Sequence, residues 1–232
     1  QFTYEFRFDS GELIRFTVDL ERATAGVAAA ADEPPPAAWT QLGYHQCANC
    51  PLNPVDHPHC PVARDLQQVA QDFSQVLSFT EAEVVVHSEE RTYSQRCDVQ
   101  SGLKSLLGLI MGSSACPILS RLRPMAWFHL PFASLDETIY RVAGAFLLRE
   151  YYAHREGRPA RLDLPDLDRL YSDLQQLNRD FMTRLRAASE RDANLNAVNI
   201  LFSLSAVVAL TWTEKLDELR PLFPAAEDHH PL

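Results

Sequence analysis

Strand-like alternation of apolar and polar residues stops near residue 100, and beyond Ser101 the apolar residues recur at helical spacing. Segregating the two periods in this way predicts an α+β fold, because a sheet built from one stretch must bury its apolar face against helices supplied by others. In the first stretch Phe2, Tyr4, Phe6 and Phe8 alternate with Thr3, Glu5, Arg7 and Asp9, and after Asp9-Ser10-Gly11-Glu12 the alternation resumes at Ile14, Phe16, Val18 and Leu20. A second hairpin is expected where Val84 and Val86, then Tyr93, Gln95, Cys97 and Val99, alternate around a turn at His87 to Glu90. Between them, Val62, Leu66, Val69, Phe73 and Val76 mark an amphipathic helix that starts at Pro61. The expectation is a small antiparallel β-sheet subdomain with a covering helix over residues 1–100, which also holds the cysteine loop, followed by an all-helical bundle over 101–232.

In the second stretch Leu103 to Met111 reads as a short apolar helix broken at Gly112-Ser113-Ser114, and Cys116-Pro117 begins another turn. Ser134 and Glu137 form a capping box ahead of a stripe at Ile139, Val142, Ala143, Phe146 and Leu147. Pro165 opens a helix with Leu167, Leu170, Leu174, Leu177, Phe181 and Leu185 on one side, and a last helix runs from Asp192 to Leu219, with Pro221 ending it. The near-heptad stripes of these two helices suit a homodimer through the C-terminal helices, or a protein partner, and equally a monomer core. Ala23 to Ala38, rich in alanine and ending in Pro34-Pro35-Pro36, reads as a linker or exposed loop.

The formal charge of −10 repels phosphate backbones and anionic lipid surfaces, so neither nucleic acid nor membrane is expected as a partner. The longest apolar stretch, Ala197 to Trp212, is too short and too polar for a membrane span, and the chain opens on strand alternation rather than on a secretory leader. A cytoplasmic location is the expectation. No Gly-rich phosphate loop, GxSxG elbow or HExxH is present, so the enzyme question stays open and leans towards no activity.

His45-Gln46-Cys47-Ala48-Asn49-Cys50-Pro51 and His57-Pro58-His59-Cys60-Pro61 give a CxxC pair with a third cysteine ten residues on. Such a turn aims two thiolates at one ion, and tetrahedral Zn²⁺ wants four ligands. Cys116 ranks first as the fourth: like Cys50 and Cys60 it precedes a proline, and it stands at an expected helix start, where the helix dipole favours thiolate. Cys97 follows, as a small core residue on a strand, and His45, His57 and His59 come after both. A metal set of Cys47, Cys50, Cys60 and Cys116 fills all four protein positions and describes a structural zinc clamping the two halves. The same ligands suit a 4Fe-4S cluster in a redox or electron-transfer protein. A dithiol couple is disfavoured, because Pro51, Pro54 and Pro58 prevent a helix directly after the CxxC.

Two further groups could carry chemistry. Glu150 and His154 share a helix face as a metal-ligating or acid–base pair, with a solvated helix end the favoured reading. Arg121, Arg123, Trp127 and His129 suit an anion pocket, although a loop with its aromatics in the core is favoured. Asp228-His229-His230 reads as a tail.

Cys47-Ala-Asn-Cys50-Pro-Leu, Cys60-Pro-Val-Ala, Arg91-Thr-Tyr-Ser, Ser105-Leu-Leu-Gly-Leu-Ile-Met, Ala115-Cys116-Pro, Leu122-Arg-Pro-Met and Asp192-Ala-Asn-Leu-Asn-Ala together resemble a bacterial family described as a domain of unknown function, DUF6901. The resemblance spans nearly the whole chain. It implies cysteines at Cys47, Cys50, Cys60 and Cys116 with Cys97 outside the pattern, and a histidine at His129 in a run where this chain has Trp127 in place of an arginine. It implies no activity. The expectation is therefore a non-enzymatic interaction or regulatory protein with a structural zinc site made of four cysteines.

Overall fold

The computed structural model of the chain describes residues 1–21, 35–186 and 192–223. The expected linker from Ala23 to Ala38 lies outside the described residues up to residue 34, and so does Asp228-His229-His230. Strands β1 (Phe2–Phe8), β2 (Leu13–Val18), β3 (Glu81–His87) and β4 (Thr92–Asp98) form one antiparallel sheet in the order β2-β1-β3-β4. Its register sets Phe6 beside Ile14 on one side and Val84 on the other, so Tyr4, Phe6, Val84 and Val86 line a single fully buried face. On the opposite face Glu5 is also buried, because Arg7 and Arg15 close over it at 2.7 Å each. Hydrogen bonds from Arg7 and Arg15 hold its carboxyl below the usual range.

Helix α1 (Pro61–Asp72) packs against the helix that follows the sheet, and Phe73 just beyond its end stacks edge-on against Phe6 with ring centres 4.9 Å apart. Helix α2 (Val99–Ser113) follows β4 without a linker: Asp98 ends the strand and caps the helix by accepting from the Ser101 N–H. Val99 therefore starts a helix instead of closing a strand, and the helix continues through Gly112, where the sequence predicts a break. A glycine in a helix is a modest cost that packing readily overrides.

Close approach of α2 to the sheet depends on Gly102. A Cβ there would stand 2.7 Å from Phe6 Cε1 and 2.8 Å from Val84 Cγ2, both on rigid strands. Gly102→Ala is expected to cost about 1–3 kcal/mol through overpacking, despite alanine's better helix propensity. Urea unfolding measures this, and a more stable variant would contradict the packing.

A 3₁₀ turn (Leu119–Leu122) and the short α3 (Arg123–Trp127) lead to α4 (Leu135–Arg155), α5 (Pro165–Arg186) and α6 (Asp192–Leu219). The Ser134–Glu137 capping box is present, and Ile139, Val142, Ala143 and Phe146 are buried as expected. Leu147, at 42 % exposure, is not part of that stripe. The whole α5 stripe from Leu167 to Leu185 is buried inside the chain. One continuous core joins the sheet's inner face, α1, α2 and the later helices.

Two local expectations are corrected. Trp127 and Phe128 are exposed rather than in the core, because α3 is too short to turn them inward. Glu150, at 5 % exposure, is no solvated residue: it accepts from the Arg161 N–H at 3.0 Å, while His154 one turn on is exposed. Among the described residues no helix is long and apolar enough to cross a membrane.

Candidate metal centre

The cysteine loop owes its shape to α5. Asp173, Asp180 and Arg184, spaced seven and four residues apart, share one face of that helix, and each holds part of the loop. Asn49 Nδ2 donates to the Asp173 carbonyl at 2.9 Å, and the Ala48 N–H donates to Asp180 Oδ2 at 2.7 Å. Arg184, only 1 % exposed, donates from Nη1 to the carbonyls of Trp39 and Gln41 and from Nη2 to that of Leu42, at 2.7–2.9 Å. The loop also closes on itself, with Leu42 N–H to Pro58 O and Cys60 N–H to Thr40 O. Within the CxxC, Cys50 N–H donates to Cys47 O at 3.0 Å, the tight turn that puts both side chains on one side.

This folding brings Cys47, Cys50, Cys60 and Cys116 together. Cys47 lies within electrostatic range of Cys50, Cys60 and Cys116, Cys60 within range of Cys50, and Cys116 within range of both Cys50 and Cys60. Burial and then this mutual repulsion push the Cys47 thiol up to about 12 and the Cys116 thiol up to about 11. The Cys60 thiol is raised too, chiefly by burial, while the Ala63 and Val62 amides and the Arg184 guanidinium pull the other way. Cys60 is the N-cap residue of α1, and Cys116 is likewise offset by the Leu119 and Ile118 amides at the following turn. Backbone amides at two helical starts thus favour thiolate at two of the four positions.

The remaining candidates lie elsewhere. Cys97, paired with Ala82 across the sheet, is influenced by burial, Asp98 and Glu81 and by none of the other cysteines. His45 and His57 are exposed, and His59 Nδ1 is 2.9 Å from Thr40 Oγ1. All five cysteines are free thiols. Among the described residues no three or more His, Cys, Asp or Glu side chains are closed into a metal-ligand set, so the four thiols are neighbours rather than a formed coordination shell.

Residues 2–224 match the family described as Domain of unknown function (DUF6901). The chain belongs to that family. No curated protein and no solved structure matches it. For this DUF6901 member, then, the chemistry must be read from its own donor set. Two buried and two half-buried thiols with amide donors and a buried cation fit a soft, positively charged guest far better than a hard oxygen-seeking one. Among the described residues the buried side-chain polar atoms without a hydrogen-bond partner are Asn49 Oδ1 and Arg184 Nε, and both belong to this assembly.

Arg184 was missed from the sequence, although a signal existed. It falls three residues after Phe181 and seven after Leu177, at the border of the apolar stripe of α5, where a buried charge requires a partner. Arg121, read as an anion-pocket residue, instead pairs with Asp173 at 2.7 Å and braces the same loop, and Arg123 donates to the Leu20 carbonyl.

Proposed function

We propose that this protein is a non-enzymatic interaction or regulatory protein whose two halves are clamped by a structural zinc ion on Cys47, Cys50, Cys60 and Cys116. The observation that carries the reading is the convergence of these four thiols, three from the 47–60 loop and one from the turn after α2, onto one partly buried place, to the exclusion of Cys97. Four protein ligands leave no open position, which marks a structural ion and not a catalytic one. Thiolates that hold zinc must stay reduced, in keeping with a cytoplasmic location.

The helical half supplies the interaction surface in this reading. Because the α5 stripe is consumed inside the chain, self-association falls to exposed residues of α4 and α6, among them Tyr140, Tyr151, Val207 and Leu210. Light scattering at micromolar concentration is expected to give a dimer.

The deciding experiment is elemental analysis with a visible spectrum on anaerobically purified protein. About one zinc per chain and no colour are expected for a closed four-thiolate site. A brown protein holding iron and sulfide would replace zinc by a 4Fe-4S cluster on the same ligands, and freshly purified protein without metal would overturn both.

A further inference from the structure

A cavity of about 170 Å³ opens between α2, α4, α5 and α6, away from the cysteines. Its wall is mostly apolar, with Leu122, Val142, Leu174 and Val208 among the contributors. In a chain of net charge −10, no aspartate or glutamate among the described residues lines it, whereas Lys104 and Arg141 do. Among the described residues neither cation makes a direct ion pair, although Glu137, one turn before Arg141, and Asp98, before Lys104, act on them electrostatically. Arg141 is held against the wall through Nη2, which donates to the carbonyls of Met125 and Phe128, so its remaining N–H groups have no protein acceptor among the described residues. Tyr171, only 5 % exposed, lines the same space.

The far end is closed by a fixed polar network. Ser105 Oγ accepts the Phe132 N–H and is 2.8 Å from the Tyr4 hydroxyl, which in turn meets His129 Nε2. Phe132 adopts a left-handed backbone (φ 59°), a conformation costly for an aromatic residue and found preferentially at binding and catalytic sites. His129 is neutral at physiological pH, since burial and the nearby Arg141 hold its imidazole down at about 3.

We propose that this cavity binds a small apolar monocarboxylate of about the size of benzoate or hexanoate. Size sets the apolar body: an engineered cavity of roughly 150 Å³ holds benzene. The head group follows from the wall, where a planar guanidinium with free N–H groups matches a carboxylate, and Lys104 and the Tyr171 hydroxyl supply charge and a further donor. Phosphate is disfavoured because a strongly hydrated dianion gains too little here against so much apolar surface.

The test is NMR titration of the whole chain, in the metal state in which it is isolated, with benzoate and hexanoate, set beside benzyl alcohol, inorganic phosphate and palmitate. Saturable binding of the short acids is expected, at least about tenfold tighter than benzyl alcohol, because a charge-assisted pair is lost with the carboxylate. Arg141→Met should weaken benzoate by about tenfold or more while leaving benzyl alcohol unchanged. Leu204→Trp, which fills the space from α6, should abolish binding of both with the metal content and far-UV spectrum intact, separating this site from the cysteine cluster. Equal binding of acid and alcohol, preference for phosphate or palmitate over the short acids, unchanged benzoate affinity in Arg141→Met, or no binding at all would overturn the proposal.

Discussion

Cys116→Ser is expected to release the metal and to lower the melting temperature by roughly 10 °C or more, corresponding to about 3 kcal/mol or more for a chain of this size. Cys116 is the one proposed ligand outside the 47–60 segment, contributed from the turn between α2 and α3, so in this proposal it alone would tie the cysteine loop to the helical half through the metal. Structural zinc in finger peptides carries on the order of 10 kcal/mol of binding free energy, and a three-thiolate remnant retains only part of it. Serine keeps the volume and cannot supply a soft thiolate. The control is Cys97→Ser, whose side chain senses none of the four. Zinc stoichiometry and melting temperature measured together decide the matter: a Cys116→Ser protein that kept its zinc, or a Cys97→Ser protein that lost it, would remove Cys116 from the ligand set.

Much of this architecture is legible in the sequence because it rests on local rules. The hairpins follow from period-two alternation, the α4 start from its capping box, and α5 from a stripe that is buried throughout. What escaped are features that depend on long-range company. Glu150 reads as a surface residue until Arg161 folds back over it, and Val99 reads as strand until Asp98 caps it into α2. At the candidate site, the CxxC spacing and the Cys-Pro pairs single out Cys47, Cys50, Cys60 and Cys116 as neighbours, whereas Arg184 lies 142 residues beyond Leu42 in the loop it holds. Sequence spacing encodes ligands that share a turn; it does not encode the charge that compensates them.

That compensation is open to a direct measurement at Arg184. The proposed four-thiolate zinc site would carry a formal charge of −2, and the guanidinium buried beside Cys60 would offset part of it while holding the carbonyls of Trp39, Gln41 and Leu42. Arg184→Met fills similar space but removes both functions. The Gln41 carbonyl keeps the Tyr44 N–H, but leaving those of Trp39 and Leu42 without this donor costs about 1–3 kcal/mol for each that stays buried, less the relief from no longer burying a charge. The expected result is a net loss of a few kcal/mol and zinc affinity reduced by about tenfold to a hundredfold, the usual effect of losing a group that supports metal ligands. Arg184→Lys separates the two roles: it returns the charge without the planar fork that reaches three carbonyls. Zinc affinity measured by competition with a chromophoric chelator should therefore recover in the lysine variant, while stability to urea should not. If lysine instead restored stability and left affinity low, the arginine would act on the metal through geometry and not through charge.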